Sequence, residues 1–452
     1  MKILLTVHQF LPDYASGTEI LALHTALELQ SRGHEVQVFT ALPAASAIPD
    51  QERFDHYVFE GIPVTRFKHA HCPMGSQDNL TEQEYNNLLV AGQFARLVDA
   101  FRPDVVHFFH LMRLSASIVD VCVDKDIPTV LTPTDFWLVC PMCQLRLADG
   151  TMCAGPDPWA ANCVRHLATL KMPGLAADVL NRLPAAAVSG MVRIANLGAF
   201  RSSGSARMVA ALSRRKGFLG ARMNRIGKVL APTRFMQQAL ERHGLAPAHI
   251  NYLPYGIRLP PKLPGKSARH GPLRIGLIGL GEHKGAHILI QALHELVDGN
   301  LQLRIYGRPD DFPAYFKRLK HLAGDDARVE FHGAFPNDQI GAILADLDIL
   351  AVPSIWFENA PLVVYSAQAA GRPVIASDVA GISELITHDE NGWLFPAGDS
   401  HRLAAILSEL VNDRDQIARL SGNARMPKSI SSYADDLLAV YDELGAQERR
   451  PE

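Results

Sequence analysis

The sequence predicts an α/β protein made of two doubly wound domains that face each other across a binding cleft. Three observations carry this. The chain has 452 residues, more than one ordinary domain holds. Short apolar runs alternate with helical patterns in two separate arrays, an order that builds parallel sheets. Between the arrays, residues 254–272 hold five prolines in nineteen positions, a composition suited to a semi-rigid linker. The expected division is therefore 1–252, a linker at 253–272, 273–428, and a last helical segment at 429–452. With 48% hydrophobic and 20% charged residues, a disordered chain, a coiled coil and a collagen-like fibre are excluded.

The elements follow in order. Lys2–Val7 is an apolar run of strand length, too short for a signal-peptide core. A loop reaches Gly17, Thr18 is placed to cap a helix through Ser31, Gly33 ends it, and Glu35–Thr40 is the next strand. The plan repeats with strands at Asp104–Phe109 and Thr129–Thr132 around a helix at Ser115–Val123. In the second array, strands are expected at Arg274–Ile278, Leu301–Tyr306, Val329–Phe331, Ile349–Val352 and Pro373–Ser377. Helices are expected at Lys284–Asp298, Leu362–Ala370 and His401–Asn412, and a last one near Tyr433–Leu444. Ligands of such sheets sit beyond the carboxyl ends of the strands, so the loops there are where chemistry is expected.

The most informative segment is Ala351–Ser377, AVPSIWFENAPLVVYSAQAAGRPVIAS. A strand ends, a loop carries Glu358 and Asn359, and Pro361 falls where a first helical turn starts. The free N–H groups from Ala360 through Leu362 to Val363, with the helix dipole, form an anion site, and Glu358 just ahead of it can accept from hydroxyls of a group attached to that anion. The same pattern also describes an ordinary helix start with a surface Glu.

This segment resembles the donor-binding motif of glycosyltransferase family 4, the retaining enzymes of GT-B fold. The resemblance extends over most of the chain: the opening strand and loop to Gly17, HFFHLMRLSASI, LTPTDFWLVCP, VLAPTRF, the HKG at 283–285, and AGISELI through GWLFPAGD. It implies two Rossmann-like domains, a nucleotide-sugar donor held mainly by the C-terminal one, and an acceptor held mainly by the N-terminal one. By position it implies that His283 and Lys284 meet the donor phosphates, that Glu358 meets sugar hydroxyls, and that Asn359, Ala360, Pro361 and Leu362 surround the distal phosphate. Gly17, Arg234 and Ser366 complete the implied donor set, and His110 with Asp135 the implied catalytic set beside Glu358 and Lys284. The chain differs from the family pattern at four places. Ser366 stands where the second Glu is usual, Thr134 where a His precedes the Asp135-Phe136-Trp137 block, Ser16 where a first Gly is usual, and the Arg expected after Gly279 is missing.

The implied reaction is retaining transfer by front-face attack. The leaving diphosphate, stabilised by Lys284 and the helix N-terminus, helps to deprotonate the acceptor hydroxyl. No cofactor or metal is required. The acceptor is a lipid-linked molecule or a glycan, and the setting is cell-surface polysaccharide assembly. Two other functions fit the same plan: a nucleotide-sugar epimerase, and a non-catalytic GT-B subunit that binds a membrane or a partner.

Cys140, Cys143, Cys153 and Cys163 place four thiols in 24 residues. A structural zinc, a disulfide or redox role, and unbonded thiols all remain open on spacing alone. Six cysteines without an export signal suit a reduced cytoplasmic protein, and the basic segment described next allows a peripheral place on the inner membrane face. The net charge of −3 conceals one feature: residues 161–230 carry twelve Lys or Arg and a single acid, Asp178. Met208, Leu212, Leu219, Met223, Ile226 and Leu230 recur there at helical spacing. That segment is either a surface for an anionic membrane or a helical hairpin packed on the N-terminal domain. No nucleic-acid module is present.

Overall fold

The computed structural model describes residues 1–171, 174–197, 203–259, 271–296 and 299–448. The chain divides into two compact units, Met1–Leu253 with Tyr433–Glu452, and Pro254–Ser432. Residues 260–270 of the expected linker lie outside the described residues, as does Asp298 at the end of one expected helix.

The first unit is built on an eight-stranded sheet: β1 (Lys2–Val7), β2 (Glu35–Pro43), β3 (Phe54–Phe59), β4 (Ile62–His69), β5 (Val105–Phe108), β6 (Thr129–Leu131), β7 (Lys228–Ala231) and β8 (Ile250–Tyr252). Its order is β3-β4-β2-β1-β5-β6-β7-β8, parallel except for the β3–β4 edge hairpin. β1 lies between β2 and β5, and Ile3 to Val7 are all buried, which is why it reads as an unbroken apolar run. The chain leaves β1 toward β2 on one side and later toward β5 on the other. The loops after β1 and β5 therefore flank a topological switch point. The helix after β1 spans Gly17–Ser31, and its N-cap is Ser16, two residues earlier than the expected Thr18. Glu19 explains the difference: its carboxylate accepts from the Ser16 N–H at 2.8 Å and completes a capping box.

The last helix, Ile430–Glu448, contributes Tyr433 and Tyr441 to this unit. Buried His107 on β5 is held between Tyr441 Oη at 2.6 Å from Nδ1 and Thr132 Oγ1 at 2.8 Å from Nε2. Burial pushes His107 down to about 3. The folded ring stays neutral while the unfolded chain takes up a proton below about pH 6.5, so its contribution is complete above that pH and is lost as pH falls. Unfolding free energies from denaturant melts at pH 7.5 to 5 should fall, by at most about 1.4 kcal/mol per pH unit from this group. His107→Gln should show a shallower slope.

The basic segment forms four helices, Ala161–Lys171, Leu175–Arg182, Ala185–Asn196 and Gly204–Met223; parts of it, 172–173 and 198–202, lie outside the described residues. The long fourth helix belongs to the core. Leu212, Leu219 and Met223 are buried, as are Ile226 and Leu230 beyond it; Met208 is exposed. Arginines in it and just past it are paired within the unit: Arg207 with Asp78, Arg214 with Glu82, and Arg222 and, past the end, Arg225 with Asp120. Arg215 is buried over the Trp137 ring and donates to the Trp137 carbonyl. For this helix the packed hairpin is therefore correct and the membrane face is not. Exposed apolar side chains sit on the preceding helices instead, at Leu170, Leu175, Val179, Met191, Ile194 and, just past the third, Leu197.

The second unit holds a six-stranded, wholly parallel sheet: β9 (Leu273–Ile278), β10 (Leu301–Tyr306), β11 (Val329–Gly333), β12 (Ile349–Val352), β13 (Val374–Ser377) and β14 (Gly392–Phe395). The order β11-β10-β9-β12-β13-β14 reverses once, between β9 and β12, so the loops after these two strands meet at the switch point. Asp346 and Asp348, just before β12, are paired with Arg274 and Arg304 at the opposite, amino-terminal edge. The helix after β9 begins at Ala286 rather than Lys284, which lies in a short 3₁₀ turn, Glu282–Lys284.

Candidate functional site

Each switch point carries a group of polar side chains. In the second unit the loop after β12 runs from Pro353 to Pro361, clamped on two sides by backbone. On one side the Ile355 N–H donates to the His283 carbonyl at 2.9 Å. On the other the Glu358 N–H donates to the Ala380 carbonyl at 3.2 Å. Two glycines permit this approach. A Cβ on Gly285 would lie 1.9 Å from the Pro353 oxygen, and one on Gly381 only 1.8 Å from the Glu358 oxygen; both have left-handed φ, +76° and +86°. The HKG and AGISE stretches thus act on the same loop.

Glu358 is buried at its centre. Its Oε1 receives three donors: Lys284 Nζ at 2.7 Å, Ser354 Oγ at 2.7 Å and Trp356 Nε1 at 2.9 Å. Burial alone would push this carboxyl up. The Lys284 charge and the three hydrogen bonds outweigh it and hold the group below its ordinary value. Oε2 has no partner among the described residues and is free to accept from a ligand hydroxyl. The Lys284 side chain is 27% exposed, with its ammonium over the Trp356 ring. A cation reachable by an anion and a buried carboxylate are therefore coupled, where the sequence suggested two independent contacts.

The helix after the loop spans Leu362–Ala369, and its N-cap is Pro361 with extended ψ. Pro361 therefore precedes the first turn instead of opening it, because Ala360 turns the chain through φ +54°. No side chain caps this end, so the N–H groups of Leu362 and Val363 are left for a ligand. Asn359 donates to Tyr255 Oη at 3.2 Å, and the His283 ring packs on Trp356 at 4.3 Å. Ser366 lies one turn farther along the helix, half-buried. Arg234 and Gly17 belong to the other unit. Arg234 lies over Tyr252 and donates to Gln237, and Gly17 is exposed in the first turn of its helix.

In the first unit, His110 follows β5 and is buried. Its Nδ1 accepts the Met112 N–H at 3.0 Å, which puts the proton of the neutral ring on Nε2; that atom stands 2.9 Å from Asp135 Oδ2. Asp135 Oδ1 accepts from the Trp137 N–H at 2.7 Å, so the carboxylate is aimed by the backbone. A small cavity opens beside them, lined by Phe109, Thr134, Asp135, Trp137 and Leu138. The sequence overlooked His8 in the loop after β1, whose ring lies 4.2 Å from that of His110, and Glu19 behind it. Their position after the first strand was the available signal.

The four thiols are not gathered into one site. Cys140, Cys153 and Cys163 line one pocket with His166, but Cys143 turns toward Met112, its Sγ 3.5 Å from Sδ. All six cysteines are free, and among the described residues no group of three or more His, Cys, Asp or Glu could hold a metal ion. The four-cysteine zinc site is corrected accordingly. The backbone turns at the second of these thiols, Cys143, which has a left-handed φ of +64°.

Known proteins match along the whole chain. A family model described as glycosyl transferase 4-like domain covers residues 16–256, and one described as glycosyl transferases group 1 covers residues 275–426. The amylovoran biosynthesis glycosyltransferase AmsK of Erwinia amylovora is 35% identical over 194 residues, 40% of this chain and 47% of that protein. The D-inositol 3-phosphate glycosyltransferase of Corynebacterium efficiens is 33% identical over 170 residues, 35% of this chain and 40% of that protein. These matches take in less than half of either relative. Among solved structures, Anabaena HepE in complex with UDP and glucose has a TM-score of 0.64 at 17% identity, covering 98% of this chain and 99% of that one. Sucrose-phosphate synthase from Thermosynechococcus elongatus has a TM-score of 0.66 at 17% identity, covering 99% of each chain. At that identity the likeness speaks for the GT-B fold. With the 4-like model spanning more than half of the sequence, the chain belongs to the glycosyltransferase 4-like family.

Proposed function

We propose that the protein is a retaining glycosyltransferase that moves a sugar from a nucleotide-sugar donor to a lipid-linked or glycan acceptor in cell-surface polysaccharide assembly. The observation that carries this is the Lys284–Glu358 pair beside the uncapped helix at Leu362, at the switch point of a wholly parallel sheet. Breaking the anomeric bond places negative charge on the diphosphate. The Lys284 ammonium and the Leu362 and Val363 N–H groups meet that charge, while Glu358 Oε2 accepts from a sugar hydroxyl. The polysaccharide setting is supported by AmsK, and a uridine diphosphate donor by the UDP held in HepE.

Calorimetry with UDP, GDP and ADP and their hexose conjugates tests the donor. NMR of the product reads its anomeric configuration. Binding of no nucleotide diphosphate would overturn the enzyme reading in favour of a non-catalytic subunit. Conversion of the donor sugar with no acceptor present would make it an epimerase. An inverted product would remove the retaining assignment, and loss of transfer in EDTA would remove its metal independence.

The proposal includes a peripheral station on an anionic membrane. Among the described residues no helix is long and apolar enough to cross one. Leu175 and Val179 share a helix face four residues apart, Met191, Ile194 and Leu197 recur every three, and Arg182 and Arg193 accompany them. Apolar side chains flanked by bases suit the headgroup boundary of acidic lipids. Replacing Leu175, Val179, Ile194 and Leu197 together by Ser should lower co-sedimentation with vesicles containing phosphatidylglycerol by about tenfold or more. Equal sedimentation of variant and parent would overturn it.

A further inference from the structure

The first unit buries one acid more than the proposed transfer uses. Glu19 is fully buried in the first turn of its helix. Oε2 takes the Ser16 N–H, whereas Oε1 has no hydrogen-bond partner and faces His8 Nε2 at 3.6 Å. His8 Nδ1 is also buried without a partner. The His8 ring rests against His110, whose Nε2 lies 2.9 Å from Asp135 Oδ2 but outside hydrogen-bond geometry. Glu19, His8, His110 and Asp135, drawn from four different segments, thus stand in one file from the interior to a partly exposed carboxylate. A capping box needs only an acceptor at Glu19, and Gln serves there as well. The helix start accounts for the acceptor and leaves the ionisable group unexplained.

We propose that Glu19 and His8 are positioning residues that, acting through His110, set the charge and orientation of the His110–Asp135 pair. What that pair acts on, an acceptor hydroxyl, rests on the transferase reading above. Burial raises the Glu19 carboxyl, against hydrogen bonds from the backbone and Gln9. Burial lowers His8, aided by His110 and Arg113. Burial thus works against charge on both Glu19 and His8. When Glu19 ionises, its negative charge favours the imidazolium at His110. The other groups facing this file are Arg113, which donates to Gln9 Oε1 at 2.8 Å, and Tyr14, Glu84 and Cys143 near that guanidinium.

Glu19→Gln keeps the capping acceptor and removes the charge. In ¹⁵N-histidine NMR titrations, His110 in Glu19→Gln should titrate lower than in the parent by about half a unit or more. In transfer assays the acid limb of kcat should move down with it while KM stays constant. His8→Asn should uncouple the two, so that adding Glu19→Gln shifts His110 no further. An unshifted His110 in a Glu19→Gln protein of parental Tm would overturn the proposal, leaving Glu19 as a cap. The titration needs no donor or acceptor, so it decides this point even if no nucleotide sugar is turned over. Glu19→Ala, which removes the cap as well, should lower Tm where Glu19→Gln does not.

Discussion

Glu358→Gln is expected to lower sugar transfer by about two to three orders of magnitude while the protein stays folded. Gln fills the same volume and can still accept from Ser354 or Trp356, so the loop keeps its local bonds. What it loses is the negative charge that holds Lys284 in place and the carboxylate oxygen left over for a sugar hydroxyl. The stranded ammonium is partly open to solvent, which limits the structural cost. The reverse change is the costlier one. Lys284→Met leaves a carboxylate buried without its cation and should destabilise the fold by about 3 kcal/mol at neutral pH.

The pH dependence has a definite sign. The folded Glu358 carboxyl lies below its ordinary 4.5, so the pair contributes fully above that value. That contribution is lost only as pH falls through the depressed value. Steady-state kinetics and Tm, each measured from pH 4 to 8 on parent and both variants, check this. Full turnover in Glu358→Gln would remove Glu358 from the site.

Much of this was legible along the chain. The alternation of apolar runs named most strands to within two residues, because parallel strands buried on both faces leave a signal that needs no partner. Lys284, Glu358 and the helix after Pro361 were legible as separate positions. That Lys284 and Glu358 are a pair was not, since 74 residues separate them and only the β9–β12 adjacency joins their loops. His8 and Glu19 went unread for the same reason. Their meaning comes from β1 lying beside β5, which brings His110 against them. The basic helix at 204–223 stayed open between two readings for a different reason. Its pattern of apolar stripe and arginines is common to a membrane helix and a packed one, and only Asp78, Glu82 and Asp120 decide between them.

Gly381→Ala should be the most damaging single methyl in the second unit. A Cβ there would fall 1.8 Å from the Glu358 carbonyl oxygen, against backbone rather than a side chain that could swing aside. The loop must then retreat by more than an ångström, which breaks the Glu358 N–H bond to Ala380 and draws the carboxylate off Lys284. The left-handed φ of +86° adds its own penalty for a residue with a side chain. Together these should cost about 3 kcal/mol or more and lower Tm by about 6–12 °C. Gly398→Ala separates the two causes. It has nearly the same φ, +83°, but nothing within 4 Å of the added atom, so it should cost about 1–2 kcal/mol and leave nucleotide affinity unchanged. If both variants lose stability equally and both keep nucleotide binding, backbone conformation alone governs Gly381. The close approach to Glu358 would then play no part in forming the site. If only Gly381→Ala loses binding, the glycine is there to let the 380–381 backbone hold Glu358 against Lys284.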